Sequence, residues 1–139
     1  MVEELKSYTS QDVSDLDSLM SELSGTSFCN EAILDKVLGD VNSHVFVIRE
    51  GRHIVAAGTL CVMHTLEFTL AGIESVVVGS ECRGKGYGKE LMRSMIEAAK
   101  GAGAHHLQLT SNPKRVAANA LYQRMGFEKY NTNCYKLYL

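Results

Sequence analysis

The residues best placed to do chemistry form one run, Val76-Val77-Val78-Gly79-Ser80-Glu81-Cys82-Arg83-Gly84-Lys85-Gly86-Tyr87-Gly88-Lys89. It reads as an apolar strand feeding a glycine-rich turn that opens a helix. Backbone N–H groups at a helix start have no intrahelical partner and lie at the positive end of the helix dipole, so such a turn can hold a phosphate or pyrophosphate. Two nucleotide motifs are near misses. Gly79 to Lys85 fits G-x-x-x-x-G-K, but Gly86 stands where a P-loop needs Ser or Thr to hold magnesium. Gly84, Gly86 and Gly88 are spaced G-x-G-x-G rather than G-x-G-x-x-G, and the chain is too short for a doubled dinucleotide-binding fold.

Other reactive side chains form no comparable pattern. His105-His106 sits at a strand start with no Cys or acid at ligand spacing, so no metal site is expected. Cys29, Cys61, Cys82 and Cys134 are scattered without a C-x-x-C pair, which predicts reduced, mostly buried thiols. Cys82 lies beside Arg83, yet no His and acid pattern marks it as a nucleophile.

These residues must be positioned by a small scaffold. The chain has 139 residues, 45% of them hydrophobic, which suits a single domain over residues 1–139 with one core. A net charge of −2 predicts no general attraction to nucleic acid or to anionic membranes, so any bound anion must be held locally. The start, Met1-Val2-Glu3-Glu4, carries acid where a secretory signal carries base, and the longest apolar stretch is about ten residues against roughly 20 for a span. A cytoplasmic protein is expected.

Apolar spacings of three and four predict a helix over Ser10–Leu23, capped by Ser10 and preceded by an edge strand near Leu5–Tyr8. A second helix, capped by Asn30, runs through Ile33, Leu34, Val37 and Leu38 to a stop at Gly39. Strands follow at His44–Glu50 and His53–Met63, turning at Gly51-Arg52, with Leu66–Leu70 as connection or continuation and Gly72–Val78 as the most strand-like stretch. Thereafter come the helix from the glycine turn to Gly101, a strand at His106–Thr110, and a helix at Val116–Met125 stopped by Gly126. Strands at Phe127–Tyr130 and Cys134–Tyr138 complete the order. The latter strand can pair or exchange between copies, which gives a route to a homodimer.

Arg83-x-x-Gly86-x-Gly88 after a Val-rich strand, followed by Leu121-Tyr122-x-x-x-Gly126-Phe127, resembles the GNAT superfamily of N-acetyltransferases. The resemblance spans residues 44 to 139 in motif order. It implies an α/β fold, a mixed central sheet of about six to seven strands flanked by about four helices, with strands splayed where acetyl-CoA binds. It further implies that the amides of Arg83, Gly84, Lys85, Gly86, Tyr87, Gly88 and Lys89 grip the pyrophosphate, while Val76, Val77 and Val78 pair with the pantetheine arm. The physics agrees: a pyrophosphate on a long amide-bearing arm suits a helix N-terminus beside a strand whose neighbour has moved away.

The family's last helix often reads N-x-x-A-x-x-L-Y, and here Arg115 replaces that Asn, so the Asn's pantetheine contact does not carry over. Asn112, Arg115 and Asn119 are the candidates for cofactor contacts in this segment. The stretches Ile73–Val78 and Leu109–Arg115 look like the small-amine branch, such as aminoalkylphosphonate N-acetyltransferases. Glucosamine-phosphate acetyltransferases share the Ile-Glu start of the strand.

The reaction implied is attack of a neutral amine on the thioester. A primary amine with a pKa near that of Lys, about 10.4, is mostly protonated at neutral pH, so a base is required. Glu74 is the leading candidate, at a position often acidic in the family, and strand alternation puts it on the face of Val76 and Val78 unless a bulge intervenes. Glu67 and His64 are reserves. By the same resemblance Tyr122 donates its phenolic proton to the leaving sulfur, and a backbone N–H of Val77 or Val78 meets the oxyanion. The acceptor is expected to be a small-molecule amine in a pocket to which Ser24–Asn30, His64–Leu70, the final strands and a second subunit can each contribute a wall. Protein or peptide acetylation and non-catalytic acyl-CoA sensing are the alternatives.

Overall fold

Alternation and helical periodicity in the first hundred or so residues are realised nearly element for element. A computed structural model describes residues 1–139, which divide into two compact units, Met1–Leu109 and Thr110–Leu139. The first unit runs β1 (Val2–Glu4), α1 (Ser10–Leu23), α2 (Glu31–Leu38), β2 (Ser43–Glu50), β3 (His53–His64) and β4 (Thr69–Val78). A 3-10 turn (Ser80–Cys82), α3 (Tyr87–Gly101) and β5 (His106–Gln108) follow. The sheet order is β1-β2-β3-β4-β5, antiparallel throughout except for β5, which lies parallel to β4.

Two apolar layers sandwich this mixed sheet. Leu16 and Leu19 of α1 and Leu34 of α2 pack with Val45, Val47, Ala57 and Val77 on one face. On the other, alternation turns Ile48 and Leu60 toward α3, whose Leu91, Met92 and Met95 are fully buried. The splay is visible in the register: β5 pairs with Leu70, Ala71 and Gly72 and stops at Gln108, whereas β4 continues to Val78.

The cap of α1 is a capping box centred on Thr9 rather than Ser10. Asp12 N–H donates to Thr9 Oγ1 at 3.2 Å, and Thr9 N–H donates to Asp12 Oδ2 at 3.0 Å. Asp12 is only 2% exposed, and Arg49 of β2 grips it through Nη1 at 2.6 Å and Nη2 at 3.3 Å while its Nε donates to Glu3 at 2.7 Å. One guanidinium therefore ties β1, α1 and β2 together.

Several expected boundaries move. The first strand lies at Val2–Glu4 because those residues ladder against Ile48, Val47 and Phe46, leaving Leu5 to plug the core. Residues 65–68 form a tight turn in which Thr65 N–H donates to Phe68 C=O, so β4 begins only at Thr69. The sheet has five strands, not six or seven. Phe127–Tyr130 and Cys134–Tyr138 form no ladder, and Tyr130, Tyr135, Leu137 and Tyr138 are almost fully exposed. Strand propensity becomes a strand only against a pairing edge. The thiols also differ from expectation: Cys82 is buried, Cys29 and Cys61 are half-buried, and Cys134 is exposed.

In the second unit, α4 (Val116–Arg124) ends in a Schellman motif. Phe127 N–H donates to Tyr122 C=O at 3.0 Å and Gly126 N–H to Gln123 C=O at 3.1 Å, with Gly126 at φ 95° in the left-handed region. The motif's apolar contact is Tyr122 on Phe127, ring centroids 6.1 Å apart. The spacing L-Y-x-x-x-G-F is thus the signature of a helix stop.

Hydrogen bonding from Arg49, then from Thr9, holds the Asp12 carboxyl below its ordinary range despite burial. The unfolded chain binds that proton at a higher pH than the folded chain does. Asp12 therefore stabilises fully above its ordinary value of about 3.9, and this contribution is lost as pH falls through the lowered folded value. Asp12→Ala is expected to cost about 1.5–3 kcal/mol in urea unfolding at pH 7, a charged hydrogen bond's contribution, and to flatten the acid limb of the stability profile.

Candidate active site

The site grows out of β4. Its register with β3 slips: Ala57 faces Val77 and Thr59 faces Glu74, so Ser75 and Val76 together oppose Gly58. Ser75 takes φ 55°, the only non-glycine positive φ in the chain. Gly58 allows the close packing opposite, since a Cβ there would lie 2.9 Å from Met95 Cε and 3.4 Å from Val76 Cγ2. The bulge thereby corrects the simple alternation: Glu74 shares the α1/α2 face with Val77, while Val76 turns toward α3.

On that face a cavity of about 450 Å³ opens. Leu16 and Met20 of α1 and Ile33 and Val37 of α2 form its apolar side, Thr26 to Cys29 line it from the loop, and Thr59 with the exposed Glu74 and Ser75 forms its polar side. Of the expected walls, the loop between the first two helices is present. His64–Leu70 is not: His64 Nδ1 lies 2.9 Å from Thr69 Oγ1 in the exposed hairpin end, where Glu67 also sits. Glu74 is the candidate base that the structure brings to the cavity; the two reserves lie outside its lining.

Beyond Val78 the chain enters the glycine turn. Gly79 N–H donates to Val55 C=O at 2.9 Å, fixing where the strand ends, and Arg83 Nε donates to Val78 C=O at 3.4 Å. Gly86 caps α3 at φ 84°, and the first intrahelical bond runs from Glu90 N–H to Gly86 C=O. Tyr87, Gly88 and Lys89 consequently present N–H groups with no intrahelical partner, and no side chain caps them. Such a helix start can hold an anion, as the sequence reading expects of this turn.

Sequence reasoning missed Glu50. Its Oε1 accepts from Lys85 Nζ and Tyr87 OH, both at 2.7 Å. These bonds hold the Glu50 carboxyl below its ordinary range and push Lys85 and Tyr87 up. Lys85 therefore clamps the turn to β2. No pattern in the sequence couples Glu50 to a turn 35 residues away.

In the second unit Tyr122 is the buried residue of α4, 6% exposed. Asn119 Nδ2 donates to Asn112 C=O at 2.9 Å, and Asn112 Oδ1 accepts from Lys114 N–H, so both side chains shape the entry into α4, where Arg115 is the N-cap residue. No group of three His, Cys, Asp or Glu side chains is arranged to hold a metal ion, and no helix is long and apolar enough to cross a membrane.

The model of the acetyltransferase (GNAT) family matches residues 7–127. This chain belongs to that family. The resemblance read from the glycine turn and L-Y-x-x-x-G-F is borne out, and with it the enzyme class at the level of the acetyltransferase family. Within the GNAT family, the chain is 30% identical over 92 residues to an uncharacterized N-acetyltransferase, YobR, of Bacillus subtilis (strain 168); the match covers 66% of this chain and 36% of that protein, so the chain spans about a third of that relative's length. A putative acetyltransferase from Agrobacterium tumefaciens str. C58 superposes with a TM-score of 0.86 at 25% identity, covering 99% of both chains. Glucosamine-6-phosphate N-acetyltransferase from Arabidopsis thaliana does so with a TM-score of 0.79 at 20% identity, covering 99% of this chain and 97% of that one; it shares the fold.

The bulge carries strain that can be measured. A left-handed φ costs an L-residue roughly 1–2 kcal/mol and glycine almost nothing. Ser75→Gly is therefore expected to hold or raise stability, whereas Ser75→Val, β-branched at the same φ, lowers it by about 1–3 kcal/mol. Equal unfolding midpoints for the two variants would show that Ser75 is unstrained.

Proposed function

We propose that this GNAT domain transfers the acetyl group of acetyl-CoA to the primary amine of a small molecule. One observation carries the reading: β4 runs from a carboxylate in a cavity straight into an anion-binding turn. A single strand thus joins a place for an amine to a place for a pyrophosphate. The amides of Arg83 to Lys89 would hold the phosphates and Val76 to Val78 would lie along the pantetheine arm, while the family resemblance carries over Asn112, Arg115 and Asn119 as cofactor contacts. The cavity size supports a small molecule over a peptide.

In the proposed reaction Glu74 takes a proton from the ammonium, directly or through a water, and the freed amine nitrogen attacks the thioester carbonyl carbon. A backbone N–H of Val77 or Val78 donates to the resulting oxyanion. As the oxyanion collapses, the attacking nitrogen gives up its second proton to water, the C–S bond breaks and the electron pair leaves on sulfur, and Glu74 returns its own proton to solvent. Tyr122 gives its phenolic proton to that sulfur and recovers one from solvent, leaving an acetamide and CoA thiol.

Free-thiol release from acetyl-CoA over a panel of amines and peptides tests the reading. Acetyl-CoA binding without thiol release would favour a sensor, and release with peptides alone would favour a protein acetyltransferase. Tyr122→Phe is expected to lower kcat by about 10²-fold, with acetyl-CoA affinity unchanged. For Glu74→Gln, activity lost at neutral pH should recover at alkaline pH, where the amine is already deprotonated; an unaltered pH profile would remove Glu74 from the base role.

A further inference from the structure

The cavity's lining has a composition that names its ligand more narrowly, provided that it is the acceptor site proposed above. Nine of its fourteen lining residues are apolar, four carry hydroxyls, and the single charged group is the Glu74 carboxylate. A phosphate, phosphonate or carboxylate on the acceptor would leave water for apolar walls and meet that one negative charge. Desolvating an anion without a paired cation is strongly unfavourable. A cationic amine meets the opposite situation, with a carboxylate and two hydroxyls, Thr59 and Ser75, grouped on the β3–β4 side, where Glu74 and Ser75 are exposed and accessible.

The other end of the cavity is apolar and open. Phe28 is 60% exposed and Ile33 is 40% exposed, although both line it. An apolar body lying between α1 and α2 would cover these two side chains, and each fully buried aliphatic or aromatic group contributes about 1.5–3 kcal/mol. We infer that the acceptor is a primary amine carried on an uncharged apolar body, of the arylalkylamine or alkylamine class, and not an amino sugar phosphate or aminophosphonate. This departs from the branches that the strand motif resembles, because those motif residues lie on β4 and at the entry to α4, whereas Phe28, Ile33 and Val37 come from the α1–α2 region.

Phenethylamine, hexylamine, glucosamine 6-phosphate and 2-aminoethylphosphonate, compared by thiol release and by calorimetry in the presence of CoA, decide the matter. The two apolar amines should show kcat/KM at least about tenfold higher, and Phe28→Ala should raise their KM several-fold with kcat little changed. Ile33→Arg, at an exposed position where folding is undisturbed, supplies the missing cation and should shift preference toward the phosphorylated amines. Equal or better use of the phosphorylated amines by the unmodified protein overturns the inference while leaving the acetyltransferase reading intact. Should the apolar amines bind with Phe28-dependent affinity yet release no thiol, the acceptor class stands and the catalytic reading fails. Binding of neither apolar amine overturns the class.

Discussion

The backbone slip at Ser75, two residues set against Gly58, is the constraint on which the site depends. In a regular strand Glu74 would share a face with Val76, and Val77 would turn toward α3. With one extra residue inserted, Glu74 and Val77 both face α1 and α2, so that a core residue and a carboxylate lie three positions apart on one side. Val76 is freed to pack against Gly58 and Met95 on the other. A strained φ at Ser75 and the absent side chain at Gly58 are the two local conditions for this arrangement, one from each strand.

What holds the flanking elements around the slip comes from the end of β2. Arg49 and Glu50 are neighbours in sequence and point to opposite faces of the sheet. Arg49 fastens α1 and β1 through Asp12 and Glu3, while Glu50 fastens the glycine turn through Lys85 and Tyr87. The cavity wall and the glycine turn are thus registered to the same pair of residues. A bulge near Val55 works in the same region, since its carbonyl receives the Gly79 N–H that ends β4.

Much of this was legible in the sequence for a local reason. Helices α1 and α2 announce themselves by spacing and caps, and Tyr122 with Gly126-Phe127 encodes a helix stop within six residues. The turn from Gly79 to Lys89 is equally self-contained. The missed features are non-local. Whether β4 slips depends on Gly58 of another strand, and the clamp at Glu50 joins residues 35 and 37 positions apart. Tyr135, Leu137 and Leu139 alternate as strand residues do, but alternation records propensity and cannot report whether an edge is present to receive them.

Electrostatics explains why a chain of net charge −2 would suit the proposed reaction between a polyanion and a cation. A basic surface would favour the acetyl donor and repel a protonated amine at long range; an acidic one would do the reverse. The fold separates the two tasks by length scale. In the proposed reaction anion binding would fall to amide dipoles at the start of α3, whose influence fades within a helix turn, since Lys85 of that turn is already paired with Glu50. In the proposed reaction the amine is left to the exposed carboxylate of Glu74 at the cavity, a short-range contact rather than a long-range field. Neither end needs a strong global field, so the surface can stay nearly balanced while each ligand meets an environment of the sign it requires.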